Sequence, residues 1–334
     1  ASIDDFISDL AFVPASLESC GERFRFDGKG KYAHKGMLAI AEWIADDILQ
    51  SNILDELILN DDAKYTHYQL VIVGHSLGAA ASALVALFLR SKFPNVKAIA
   101  YEPPGCTVSL NVAEESKQFC ISFVTGMDVI PRVSAEAMHD LRMEVLINLA
   151  RIRIPKWKVM HNRNVEQHGV DAVKEFLAEA LHPHSELKAT PFLRSVAEFY
   201  HYSREKMASS ATGGLHIPGR IIHMASSAST FQQKMKEMAE VPGKVAADFK
   251  SKAFGGLESK MFGKHDDESA AASSDKPTGK YQACWATQED FRHIILSDHL
   301  IEDHLTVTIQ DALDVRMKFA GTAEPFNQDV TWQP

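Results

Sequence analysis

The chain has 334 residues, 46% hydrophobic, 24% charged and 9% aromatic, with 18 Gly and 13 Pro, which excludes collagenous, coiled-coil and wholly disordered architectures and allows one large domain or two small ones. Thirty-five Lys and Arg against 44 Asp and Glu leave a formal net charge of −9, the wrong sign for binding nucleic acid by displacing phosphate counterions. Four cysteines, Cys20, Cys106, Cys120 and Cys284, show no C-x-x-C spacing and read as reduced thiols of an intracellular protein, or of one facing the cytosol, rather than as a disulfide framework.

Ala1-Ser2-Ile3-Asp4-Asp5 has neither a basic n-region nor an apolar h-region, so no signal peptide is read. Met37, Ile40, Ala41, Ile44 and Ile48 recur at helical spacing and predict a helix over residues 35–50. The run LVIVGHSLGAAASALVALFL at residues 70–89 approaches the length of a membrane span. Its halves differ, however. Leu70-Val71-Ile72-Val73 suits a strand buried on both faces, and the Ala- and Leu-rich part from Leu77 to Arg90 suits a helix. Strand, tight turn and helix explain the window, and no transmembrane segment is read. Further strands are expected at residues 96–101, before Pro103-Pro104-Gly105, and at residues 119–124, before Gly126. Strands alternating with helices predict an α/β fold with a mostly parallel sheet and helices on both faces.

Val170, Val173, Phe176 and Leu177 form one later apolar stripe, and residues 215–224 read as a strand entered through Pro218-Gly219. Residues 225–280 differ in composition. Phe231, Met235 and Met238 fall on one helical face, and the polar run from residue 265 to 280 has too little apolar surface to fold. Order is expected to resume at Tyr281, with a strand at residues 293–296 and a terminal helix over about 304–319. The whole chain is read as one domain, 1–334, with residues 225–280 as a partly disordered insert before the last strand.

Gly74-His75-Ser76-Leu77-Gly78 matches G-x-S-x-G between a predicted strand and a predicted helix. That context makes Ser76 the candidate nucleophile on a strained turn, Gly74 and Gly78 the small residues flanking it, and the Leu77 amide an oxyanion donor. A serine needs a base, and the base needs an orienting acid. Asp128, just past the strand at 119–124, is the candidate acid, with Glu136 and Asp140 as rivals in helical context. The base should follow the last strand, where His299 and His304 both qualify. His304 is modestly favoured because it opens the final helix. His75 reads as packing near the elbow, and His34 as bonding locally at a helix start. No H-E-x-x-H, EF-hand or P-loop pattern is present, so the sequence requires no metal, cofactor or nucleotide; it leaves calcium dependence open.

These segments resemble the class 3 (fungal-type) lipases, and more specifically the catalytic domain of the sn-1-specific diacylglycerol lipases. GHSLGAA at residues 74–80 is similar to that family's elbow, His34-Lys35-Gly36-Met37 to its H-x-G-[FM] segment, and Gly126 to Arg132 to its G-x-D-x-I-P-R stretch around the acid. LHIPGRIIHM at 215–224 resembles the strand before its regulatory insert, and residues 281–305, with Asp303-His304-Leu305, resemble the segment bearing its base. The resemblance implies an α/β-hydrolase-type fold and selects His304 over His299. It makes residues 225–280 the counterpart of a loop that screens the site. It implies a membrane-associated serine lipase releasing 2-monoacylglycerol and a fatty acid from diacylglycerol, at the cytoplasm or a membrane's cytoplasmic face. A triacylglycerol lipase, a phospholipase A1 or a catalytically weak lipid-binding homologue are the alternatives. The family's transmembrane helices have no counterpart here. Its strand ending in R-G-T, which supplies the second oxyanion donor, has none either, so that donor is expected to be missing, with the Ser2 hydroxyl as a conceivable substitute.

Overall fold

The computed structural model describes residues 12–60, 62–161, 170–182, 214–226, 281–296 and 299–314, with isolated positions between 195 and 205. In chain order the elements are β1 (Pro14–Ser16), α1 (Glu18–Phe24), β2 (Tyr32–His34), α2 (Lys35–Ser51), β3 (Val71–His75), α3 (Leu77–Leu89), β4 (Lys97–Tyr101), α4 (Leu110–Ser116), β5 (Cys120–Thr125), α5 (Ala135–Arg151), α6 (Lys156–His161), α7 (Val170–Ala180), β6 (Arg220–Ser226), β7 (Tyr281–Ala286) and α8 (Thr306–Asp314). They fall into two compact units. The first comprises residues 1–138, 207–227 and 277–334, and the second residues 139–206 and 228–276.

The first unit is organised by a five-stranded sheet in the order β3-β4-β5-β6-β7. The pairs β3–β4, β4–β5 and β5–β6 are parallel, and β6–β7 is antiparallel. Side chains alternate across a strand, and the clusters follow that alternation. Ala98, Ala100 and Cys120 share a core with α2 and α3, where Ala79, Ala83, Ala86 and Phe88 are buried. Tyr101 and Phe123, one position out of phase, pack instead with Met224, Tyr281 and the α8 residues Ile309 and Ala312. Helices therefore cover both faces. The small side chains of α3 let it lie close on the sheet, and Phe88 stacks on Phe24 with ring centroids 4.5 Å apart.

Two expectations are corrected. Strand β3 is not buried on both faces, since Val71 and Val73 are 39% and 59% exposed; β3 is an edge strand among the described residues, and only its Ile72 side packs against the core. Residues 293–296 form no strand. The strand in this region is β7, six residues paired along β6, and the chain leaves it through a capping box in which Thr287 and Asp290 satisfy each other's backbone. The pairing along β6 is taken by β7, and Ile294, Ile295 and Leu296 follow outside any strand. The final helix begins at Thr306, with His304 in a 3₁₀ turn before it.

In the second unit, Ile152 bridges Leu181 next to the C-terminus of α7. Arg153 donates from Nε to the Glu179 carbonyl and from Nη2 to that of Ala178, both at 2.6 Å, so a cation caps carbonyls that lack helical partners. Most of the expected insert, with Phe231, Met235 and Met238, lies outside the described residues, as does Ser2.

Candidate active site

Strand β3 ends at His75, and α3 begins at Leu77, leaving Ser76 alone to turn the chain. Its φ of 56° and ψ of −122° lie where L-residues are strained. The turn is held from below by the Ser76 N–H, which donates to the Tyr101 carbonyl at 2.9 Å. A Cβ on Gly74 would run into the Gly78 carbonyl, whereas one on Gly78 would meet nothing within 4 Å. The steric requirement of the turn thus falls on Gly74. The Leu77 amide opens the first turn of α3, where carbonyl partners within the helix are lacking.

Asp128, the candidate acid, sits beyond β5. Gly126, at φ 49°, turns the chain, and Asp128 Oδ1 accepts the Ile130 N–H two residues on at 2.9 Å. This leaves Oδ2 to accept from His304 Nδ1 at 2.8 Å. The other ring nitrogen of His304, Nε2, accepts from Ser76 Oγ at 2.9 Å, across 228 positions of sequence. Asp128 is fully buried and His304 nearly so, at 0% and 16% side-chain exposure, so the line of bonds is screened from water on the acid side.

Separate bonds hold His304 in register. The Val129 N–H donates to the Leu300 carbonyl at 3.1 Å. The Met127 N–H donates to Asp303 Oδ2 at 2.7 Å, and a side chain on Gly126 would collide with that carboxylate. His75 Nε2–H donates to the His304 carbonyl at 2.9 Å, and burial depresses its pKa, so it stays neutral. His75 therefore braces His304 by its backbone instead of competing as a base. His299 is exposed and bonds Glu302 at 2.9 Å. Of the rival acids, Asp140 pairs with His139 at 3.5 Å and Glu136 lies beside Gly214.

Sequence reading missed a buried charge group under this line. Glu102 follows β4 with a φ of 51° and no exposure, and its Oε1 accepts the Thr125 N–H at 2.8 Å. Burial, and then the neighbouring Asp128, push its carboxyl well above the ordinary value. Arg132 is 3% exposed; it donates from Nη1 to the Asp290 carbonyl at 2.7 Å and lies over the Phe291 ring at 4.9 Å. Burial pulls its pKa down to about 10 against the opposing pull of Asp128, Asp290 and Glu102. The signal for Glu102 was a carboxylate at the carboxyl end of a parallel strand, where α/β sheets place their sites. Among the described residues no cluster of three or more His, Cys, Asp or Glu is arranged to hold a metal ion, and the cysteines are free.

Mostly parallel sheet, strand–serine–helix elbow and the order Ser, Asp, His along the chain define an α/β-hydrolase-type fold. Within that class, residues 1–138 match the family model described as Lipase (class 3). Diacylglycerol lipase-alpha of Rattus norvegicus is 29% identical over 311 residues, 93% of this chain and 25% of that protein. Diacylglycerol lipase-beta of Mus musculus is 37% identical over 159 residues, 48% of this chain and 22% of that protein. The chain thus spans about a quarter of the length of the curated relatives it matches. Among solved structures, mono- and diacylglycerol lipase from Aspergillus oryzae is 28% identical and aligns over 40% of this chain and 44% of that chain with a TM-score of 0.33, so the fold assignment rests on the elements above. No helix among the described residues is long and apolar enough to cross a membrane.

Proposed function

We propose that this chain carries the catalytic machinery of a serine lipase that hydrolyses an acyl ester of diacylglycerol to 2-monoacylglycerol and a fatty acid. The observation that supports it most is the unbroken line from Ser76 Oγ through His304 to Asp128, at 2.9 and 2.8 Å. In this reading Ser76 Oγ attacks the ester carbonyl while His304 Nε2 takes its proton, and Asp128 stabilises the imidazolium and fixes the tautomer. The Leu77 amide steadies the oxyanion that forms. His304 then gives its proton to the leaving glycerol oxygen. A water enters, loses a proton to His304 and attacks the acyl group on Ser76; the acyl–Oγ bond breaks, His304 returns the proton to Ser76 Oγ, and the fatty acid leaves.

The substrate half of the reading rests on the likeness to proteins named diacylglycerol lipase over 93% of this chain. Exposed Ile301, Leu305 and Val307 beside His304 would suit contact with a lipid surface. We place that surface on the cytosolic side, in keeping with four free thiols. A fluorophosphonate probe tests the enzyme half. Labelling of the wild type and none of Ser76→Ala is expected, and equal labelling of both would end the assignment. A panel of diacylglycerol, triacylglycerol and phospholipid tests the substrate half, with the fastest release expected from diacylglycerol.

A further inference from the structure

Four non-glycine residues among the described ones have positive φ: Arg25, Asn52, Ser76 and Glu102. Arg25 and Asn52 close helices, where the left-handed conformation is common. The other two stand together at the ends of adjacent strands β3 and β4, and one of them is the nucleophile of the proposed reaction. Glu102 combines that strained backbone with complete burial of a carboxyl group. Both features cost stability, which motivates a search for what the side chain does.

Its surroundings answer in part. Oε1 is occupied by the Thr125 N–H. Oε2 is equally buried and receives no donor among the described residues, and the neighbouring charged group that acts on Glu102 is the Asp128 carboxyl. Two oxygens from ionised carboxylates repel; they attract only when one holds a proton. The charged and titratable groups around Glu102, Asp128 and Arg132 come from several elements. Arg132 follows the same loop as Asp128, Asp303 and His304 belong to the 3₁₀ turn before α8, His75 ends β3, and Asp290 lies after β7. Arg132 is the buried cation of the group, and Asp128 and Asp290 already draw on it.

We propose that Glu102 is a positioning residue of the site: held as the neutral acid, it donates a hydrogen bond from Oε2 to the Asp128 carboxylate and leaves Asp128 as the single anion behind His304. This rests on the reading of Ser76, His304 and Asp128 as the reacting line. The donated bond fixes the Asp128 carboxyl plane from the side opposite His304. It also draws charge away from the Asp128 oxygen that faces His304.

The test measures the rate of fluorophosphonate labelling against pH for the wild type, Glu102→Gln and Glu102→Leu. The acid limb of that profile reports the protonation of His304. The glutamine amide can accept from Thr125 and donate to Asp128, so Glu102→Gln should recover what Glu102→Leu loses, with its acid limb where the wild type has it. Glu102→Leu should label about tenfold more slowly, with the acid limb moved to higher pH because Asp128, lacking a donor, binds the imidazolium more tightly. If Glu102→Gln instead moves the acid limb to lower pH, Glu102 was an anion and the proposal falls. A Glu102→Leu profile identical to the wild type would also overturn it. Should the leucine variant not fold, the infrared spectrum of the wild type decides. A protonated-carboxyl stretch at neutral pH that vanishes in Glu102→Gln supports the assignment, and its absence refutes it. Wild type that shows no Ser76-dependent labelling would sink the lipase reading instead, while the infrared result still reports on Glu102.

Discussion

The same sheet presents two kinds of interior. On its α3 side, every residue from Ala79 to Leu89 is buried, and all but Ser82 are apolar; Ser82 satisfies its hydroxyl within the helix at the Ala79 carbonyl, 2.8 Å away. At the carboxyl ends of its strands, Glu102, Asp128 and Arg132 are buried to a similar degree, and Ser76 and Glu102 hold strained backbones. Burial in the first region stabilises the fold directly, because apolar surface leaves water. Burial in the second works against stability and is sustained by specific partners. The first region serves folding, and the second holds the groups of the proposed reaction. The two regions meet at Tyr101, whose carbonyl anchors Ser76 and whose ring packs on Phe123, 5.3 Å away.

The comparison can be broken from the rim first. Ser76→Ala should lower turnover of an ester by about 10⁶-fold while shifting the thermal transition by only about a degree or two, since one hydroxyl is removed from a strained turn. Steady-state kinetics and calorimetry on the same sample check both halves. Asp128→Asn should cost about 10⁴-fold in kcat by leaving His304 in the wrong tautomer, and His304→Ala a loss of at least that order. His299→Ala should leave kcat unchanged, because that ring is exposed and bonds Glu302 away from Ser76 and Asp128.

Breaking the apolar side should reverse the pattern. Phe88→Ala removes a side chain that is 1% exposed and stacked on Phe24, and should destabilise by about 3–5 kcal/mol. Well below its lowered transition, the folded fraction should keep its labelling rate. A large loss of rate in the folded protein would mean that the two regions are not independent.

The smallest effect is the most diagnostic. Glu102 keeps its proton in the fold, whereas the unfolded chain loses it above the ordinary value of 4.5. The native state then binds more protons than the unfolded one, so this residue's contribution to stability falls as pH rises above about 4.5. Glu102→Gln should therefore be more stable than the wild type at pH 7, with the gain shrinking to nothing toward pH 4, in denaturant titrations across that range. His223 acts in the opposite direction. Burial depresses its pKa, so its neutral form supports the fold above about 6.5 and that support is lost as pH falls. His223→Gln should flatten the stability curve on the acid side.

Local chemistry was enough for much of this molecule. The helical period of residues 35–50 appears as α2, the β-branched run and the Ala/Leu run around G-x-S-x-G appear as β3 and α3, and Gly126 does end a strand ahead of Asp128. Each of these depends on residues within a few positions of one another, where periodicity and turn chemistry act directly. Sequence spacing alone left His299 and His304 both standing, and it was tertiary structure that set His304 against Ser76 and left His299 in solvent. Strand pairing was likewise out of reach. Residues 293–296 have the composition of a strand, yet the pairing with β6 went to Tyr281–Ala286, because a strand exists only where another offers its backbone. Glu102 marks the clearest limit. Tyr101-Glu102-Pro103 shows a carboxylate at a strand end but not its burial, since that burial and the meeting with Asp128 arise only when β4 and β5 lie side by side and exclude water from the space between their ends.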